Sequence, residues 1–224
     1  MKVCLVTSGS VNGVWQEKLD ELNKQELILF GFNGLGLVSY KKELGGETEY
    51  FQDLAKLSKQ ISAVVVCGCD TDTYGVFRHS AVIADKGKIL GVSDMAHSFD
   101  DSEFVSGGGF RVYDTSAGKI GVIVGEDLLF TETARIMSLC DADLIVCVMK
   151  KLDSFMPEIM LRASAYSNGV PMLLCAKNYG VVADIRGDVK IAGGSDIIKY
   201  QINTEKDYHL ISTRRRGLCR ENKT

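Results

Sequence analysis

The stretch FRVYDTSAGKIGVIV (110–124), continued by GEDLLFTETARIMSLCDADLIV (125–146), decides the fold of this chain. FRVYD and KIGVIV are apolar runs on either side of a short glycine-containing turn, the pattern of a β-hairpin. In 130–141, Phe130, Ala134 and Met137 recur at helical spacing and give an amphipathic helix. The run 143–149 is short, branched and apolar, as in a strand buried on both faces. A hairpin demands antiparallel neighbours, whereas strand–helix–strand alternation demands parallel ones. A mixed sheet satisfies both.

Working outward, AVIADKGKILGV (81–92) and VVADIRGDVKIAG (181–193) have the same two-runs-and-a-turn pattern. Further strand-like runs occupy 2–7, 26–31, 61–67 and 171–176. In 154–168, Met156, Ile159, Met160 and Ala163 form one apolar stripe on a second helix. So many strands predict two mixed sheets packed face to face with helices outside, an α/β, four-layer α-β-β-α sandwich. With 224 residues and no low-complexity linker, one domain over 1–224 is expected, with a short basic C-terminal tail, 213–224.

Composition narrows the partners. A net charge of −3 gives no general attraction to nucleic acid or an acidic membrane, so neither is expected as a partner. No apolar run approaches the roughly 20 residues of a spanning helix. The start, MKVCLVTSGS, leads into a strand-like run and does not read as a signal peptide. Cys4, Cys147 and Cys175 lie inside apolar runs, which points to buried reduced thiols and a cytoplasmic protein.

The order of these segments resembles the nitrilase superfamily of carbon–nitrogen hydrolases. The resemblance rests on DKGKILGV (85–92), His97-Ser-Phe-Asp100, the GKIG turn, and the helix and strand from Phe130 through Glu132, Ala134 and Arg135 to Ala142-Asp143-Leu144-Ile145. LRASAYSNGVPMLLCAKNYG (161–180) and QELILFGFNGLG (25–36) extend it over most of the chain. The resemblance implies a thiolate nucleophile, a glutamate that handles protons and a lysine that stabilises the tetrahedral intermediate. The matching positions here are Gly125 for the cysteine, Met95 for the lysine and Phe32 for the glutamate. None of the three can supply the lost role. The expectation is therefore a homologue without the catalytic set, binding a small molecule or serving as a scaffold. The alternative is an amidase- or nitrilase-type hydrolase using Glu126, Asp127 or a displaced cysteine. The resemblance also implies a homodimer formed through helices 130–141 and 154–168.

Two states of the old pocket stay open at this point. If it is open, Asp94, His97, Glu126 and Asp127 line it and favour a neutral or cationic small molecule. If it has closed, Phe32 and Met95 fill it as core. The remaining motifs carry less. Cys67 and Cys69 stand at a predicted strand end, but C-x-C is neither the redox nor the zinc spacing. A metal site would have to draw on His79, His97 and the acidic residues, but a loop histidine is more often an ordinary polar residue, and neither a metal nor a cofactor is expected. Gly107-Gly108-Gly109 has neither phosphate-loop nor dinucleotide pattern, and no G-x-S-x-G elbow occurs. Arg186-Gly187-Asp188 reads as a hairpin turn, and Arg214–Arg216 as a solvated or partner-crossing tail.

Overall fold

The computed structural model describes residues 1–98 and 103–205; the basic tail lies outside the described residues. The N-terminal half runs β1 (Lys2–Val6), α1 (Val11–Glu17), α2 (Leu19–Leu22), β2 (Leu27–Phe30), β3 (Gly36–Ser39), α3 (Tyr40–Gly45), α4 (Tyr50–Ile61), β4 (Val64–Thr73), β5 (Val76–Asp85) and β6 (Lys88–Asp94). The other half runs β7 (Arg111–Thr115), β8 (Gly118–Val124), a 3₁₀ turn (Gly125–Leu129), α5 (Thr131–Leu139), β9 (Leu144–Val148), α6 (Met156–Asn168), β10 (Met172–Ala176), β11 (Tyr179–Ala183), β12 (Val189–Gly193) and β13 (Ile197–Gln201). One sheet has the order β13-β1-β2-β4-β5-β6 with β3 on β4, and the other β12-β11-β10-β9-β8-β7. Both are mixed: β1, β2 and β4 run parallel, as do β8, β9 and β10, and the hairpins flank them.

Strand alternation builds the four layers. On β1, Val3 and Leu5 belong to the core between the sheets, and Cys4 and Val6 to the core under the first helical layer. On β9, Leu144, Val146 and Val148 face the other sheet, while Ile145 and Cys147 face α5 and α6. Each strand buried this way contributes on both faces, about 1.5–3 kcal/mol for each large aliphatic side chain. β13 returns from the second half to pair antiparallel with β1, so the first sheet is completed only by the end of the fold.

Two expectations need correction. The run 61–67 is the end of a helix followed by a ten-residue strand, because β4 continues past the valines to pair with β5 as far as Thr73. Cys67 and Cys69 therefore sit inside a strand, fully buried, not at a loop. In α6 the predicted stripe faces outward: Met156 and Ile159 are 51% and 52% exposed, while Pro157, Leu161, Ser164, Ala165 and Asn168 are buried. Leu161 and the small Ser164 and Ala165 make the buried face, Met160 packs partly against the same core, and Met156 and Ile159 are left in solvent. In α5, Ala134 and Met137 are buried as the periodicity predicts.

Candidate functional site

Gly125 ends β8 and opens the sharp 3₁₀ turn, with φ at +57°, a left-handed conformation that strains any residue bearing a Cβ. A Cβ built on Gly125 would lie 2.7 Å from Sδ of Met95. The methionine thus takes the space into which a side chain at this elbow would project. Met95 is 5% exposed, and its loop is pinned by its own N–H to His79 O (2.8 Å) and by Gly107 N–H to Met95 O (2.7 Å). Phe32 follows β2, is 7% exposed, and shares the inter-sheet core with Met95. Its ring lies so close over β4 that a Cβ at Gly68 would sit 2.9 Å from Phe32 Cδ2. The three positions that the resemblance singles out are thus apolar and packed.

The four expected ligand contacts are placed unequally. Asp127 is 1% exposed, and its carboxylate accepts from Ala96 N–H (2.7 Å), His97 N–H (2.9 Å) and His97 Nδ1 (2.7 Å). His97 stacks on Phe130 with centroids 3.9 Å apart. These two residues come together, and the carboxylate is engaged in holding the Met95 loop to the elbow. Asp94 turns to β5 instead, accepting from Ser80 Oγ at 2.7 Å and facing Arg78 Nε at 3.8 Å. Glu126 is exposed. The four therefore do not line a single wall. Gly107–Gly109 forms the loop before β7, and Gly107 lies against Asp94.

A polar cluster lies against Phe32, outside the four residues expected from the sequence. Asp70 and His79 are cross-strand partners on β4 and β5, with His79 Nδ1 2.6 Å from Asp70 Oδ1. Lys150, just past β9, reaches Asp70 Oδ2 at 2.8 Å. Its ammonium lies 4.8 Å from the Phe104 ring centroid and 5.8 Å from that of Phe32. His79 stacks on Phe104 at 3.8 Å and meets Phe32 edge-on at 6.0 Å. Burial opposes the Asp70 charge, but the bonds from His79 and Lys150 prevail and hold its carboxyl below the usual range. The two-residue Tyr74-Gly75 turn, both residues at positive φ, sets the β4–β5 register that pairs Asp70 with His79, and the end of β9 brings in Lys150.

The strand thiols are enclosed in the core. Cys67, Cys69, Cys147 and Cys175 are fully buried, and burial pushes each thiol well above its ordinary value. Among the described residues no three His, Cys, Asp or Glu side chains gather as a metal set, and no helix is long and apolar enough to cross a membrane.

Comparison with known proteins places this geometry. The family model described as carbon-nitrogen hydrolase matches residues 15–208. A probable nitrilase of Schizosaccharomyces pombe is 26% identical over 192 residues, covering 81% of this chain and 70% of that protein. Among solved structures, a Saccharomyces cerevisiae member of branch 10 of the nitrilase superfamily superposes with TM-score 0.75 at 19% identity, covering 100% of this chain and 96% of that one. An amidase of Nesterenkonia AN1 from the same superfamily gives TM-score 0.76 at 17% identity, covering 97% and 95%.

Proposed function

From the premise that this chain belongs to the carbon–nitrogen hydrolase family, we propose that it is a non-catalytic member, acting as a homodimeric scaffold whose ancestral pocket is filled by its own side chains. The observation that carries this reading is the Met95 sulfur, 2.7 Å from where any side chain of Gly125 would begin. In the Nesterenkonia amidase, the acetamide moiety of fluoroacetamide is covalently attached at an active-site cysteine. Glycine at the matching elbow position offers no atom for such a bond. The displaced-cysteine alternative is disfavoured, since the five strand thiols, Cys4, Cys67, Cys69, Cys147 and Cys175, are buried and held protonated. Asp127 is no better placed, because its carboxylate is engaged by three N–H donors.

The dimer reading draws support from apolar side chains left in solvent on neighbouring helices. Ile136 and Leu139 of α5 and Ile159 and Tyr166 of α6 are all more than two-fifths exposed. Ile136→Glu combined with Ile159→Glu is expected to give a monomer in analytical ultracentrifugation. A wild-type chain that sediments as a monomer contradicts the dimer.

A second reading, an amidase-type hydrolase with non-standard residues, is favoured by one observation: Asp70, His79 and Lys150 form a contiguous titratable group against Phe32. One assay separates the two. Purified protein is incubated with a panel of amides, nitriles and carbamoyl compounds, and ammonia is measured. The non-catalytic reading expects release no faster than without protein. Release that disappears in His79→Gln or Lys150→Met establishes the hydrolase instead.

A further inference from the structure

Two buried side-chain atoms lack a hydrogen-bond partner among the described residues, Thr133 Oγ1 and Arg135 Nη1, and both belong to α5. Thr133 is enclosed in the core, whereas Arg135 is half-buried and lines a cavity of about 430 Å³ between α5 and α6. Glu132 lines the same cavity, and Ala163, Ser164, Ser167 and Asn168 form its α6 wall. The polar groups of that wall bond within the protein: Asn168 Nδ2 donates to Ser164 O at 2.9 Å, and Ser138 Oγ donates to Asn168 O at 3.3 Å. The two charges do not. Among the described residues neither Glu132 nor Arg135 lies within ion-pair distance of an opposite charge, although their i,i+3 spacing would let them meet each other.

The charges belong to a larger face. On α5, Glu132, Arg135, Ile136 and Leu139 stand at i, i+3, i+4 and i+7 and form the outward stripe, charged at one end and apolar at the other. On α6, the outward stripe is Met156, Ile159, Ala163 and Tyr166. One cation and one anion on the same face cancel, so the cavity selects neither an anionic nor a cationic small molecule. A two-fold axis, however, lays such a face on its own copy in reversed order, and each charge then meets its opposite. An antiparallel crossing of α5 on α5, centred near Ala134, sets Glu132 of each copy across from Arg135 and Ile136 of the other.

We infer that α5 docks on α5 of a second copy of this chain through two reciprocal ion pairs, Glu132 with the partner subunit's Arg135 and Arg135 with the partner subunit's Glu132. This rests on the dimer reading above and adds to it the register of the contact and the residues that select self. A carboxylate entering the cavity gives the guanidinium the acceptor it lacks, and the planar fork suits a carboxylate better than any other group. Ile136, Leu139, Ile159 and Tyr166 surround the pairs and exclude water. The apolar stripes supply the affinity, and the charge pairs fix the partner and its orientation.

The test exchanges charges in the full chain and follows assembly by fluorescence-detected sedimentation. Glu132→Arg leaves two cations on the face, and Arg135→Glu leaves two anions. Each variant alone is expected to raise the dimer dissociation constant about a hundredfold, from two like-charge contacts at roughly tenfold each. An equimolar mixture of the two is expected to form a heterodimer as tight as the wild type, because every contact across the axis then joins opposite charges. Rescue by mixing is a result that damage to either fold cannot produce. Glu132 is exposed, so Glu132→Arg is expected to fold and its self-association tests the contact whatever Arg135→Glu does. A wild-type dimer whose dissociation constant stays within about twofold in Glu132→Arg overturns the pairing and leaves the dimer reading standing. Two weakened variants that fail to rescue each other overturn it as well. A wild-type chain that sediments as a monomer overturns both.

Discussion

Phe32 divides two regions that obey opposite physics. On one side, Met95 shares the inter-sheet core with it and closes on Gly125, and the nearest carboxylate, Asp127, is buried and bonded to the Met95 loop. On the other, Asp70, His79 and Lys150 bond to one another against its ring in a partly exposed setting. The packed side owes its stability to volume, so it is sensitive to the loss or gain of a single atom. The polar side depends on charge in the reach of water, where each pair is worth little and varies with pH. A catalytic site of the family's chemistry needs both properties at one point: buried space for a substrate and ionisable groups facing it. Here Phe32 and Met95 take up the buried space, and the ionisable groups bond to one another beside them.

Substitutions can break or sharpen that contrast. The largest effect is expected for Asp127→Ala, which removes a buried carboxylate, leaves the half-buried Ala96 and His97 N–H groups without their acceptor and frees the Met95 loop. A loss of about 3–4 kcal/mol in urea unfolding is the expected outcome. A loss comparable to that of a surface substitution means that the loop is held by something else. Next comes Met95→Ala, expected to cost about 2–3 kcal/mol as a core truncation. A neutral result means that the interior beside Gly125 is hydrated and open. The smallest effect belongs to the polar side. Asp70→Asn is expected to destabilise by about 1 kcal/mol or less at neutral pH. Because the folded carboxyl of Asp70 lies below its unfolded value, the wild type holds this advantage above about pH 4 and loses it as pH falls through the lower folded value. An advantage that grows on acidification reverses the sign and removes the ion-pair account.

The sequence reading was strongest where local patterns carry the information. The two hairpins at 81–92 and 181–193, the strand–helix–strand of 130–149 and the four-layer architecture follow from periodicity and turns, and all appear in the structure. The placement of Met95 against Gly125 was foreshadowed only as one of two options, because filling depends on how two sheets approach each other. The outward rotation of α6 was not legible. Periodicity identifies an apolar stripe but cannot show whether Leu161 and Ala165 or Met156 and Ile159 meet the sheet. The Asp70–His79–Lys150 cluster was missed for a related reason. It needs the β4–β5 pair and the end of β9 together, and the apolar run 61–67 stops short of Asp70, which β4 carries beyond it.

The central claim is that Met95 occupies the room a side chain at Gly125 would need. A double-mutant cycle of Gly125→Cys and Met95→Ala, followed by urea unfolding, measures this directly. The expected result is strong coupling: Gly125→Cys costs about 1 kcal/mol more with Met95 present than in the Met95→Ala background, where only the backbone strain at φ +57° remains. Additive effects, within about 0.5 kcal/mol, contradict the account, because they would mean that the two residues do not compete for the same space.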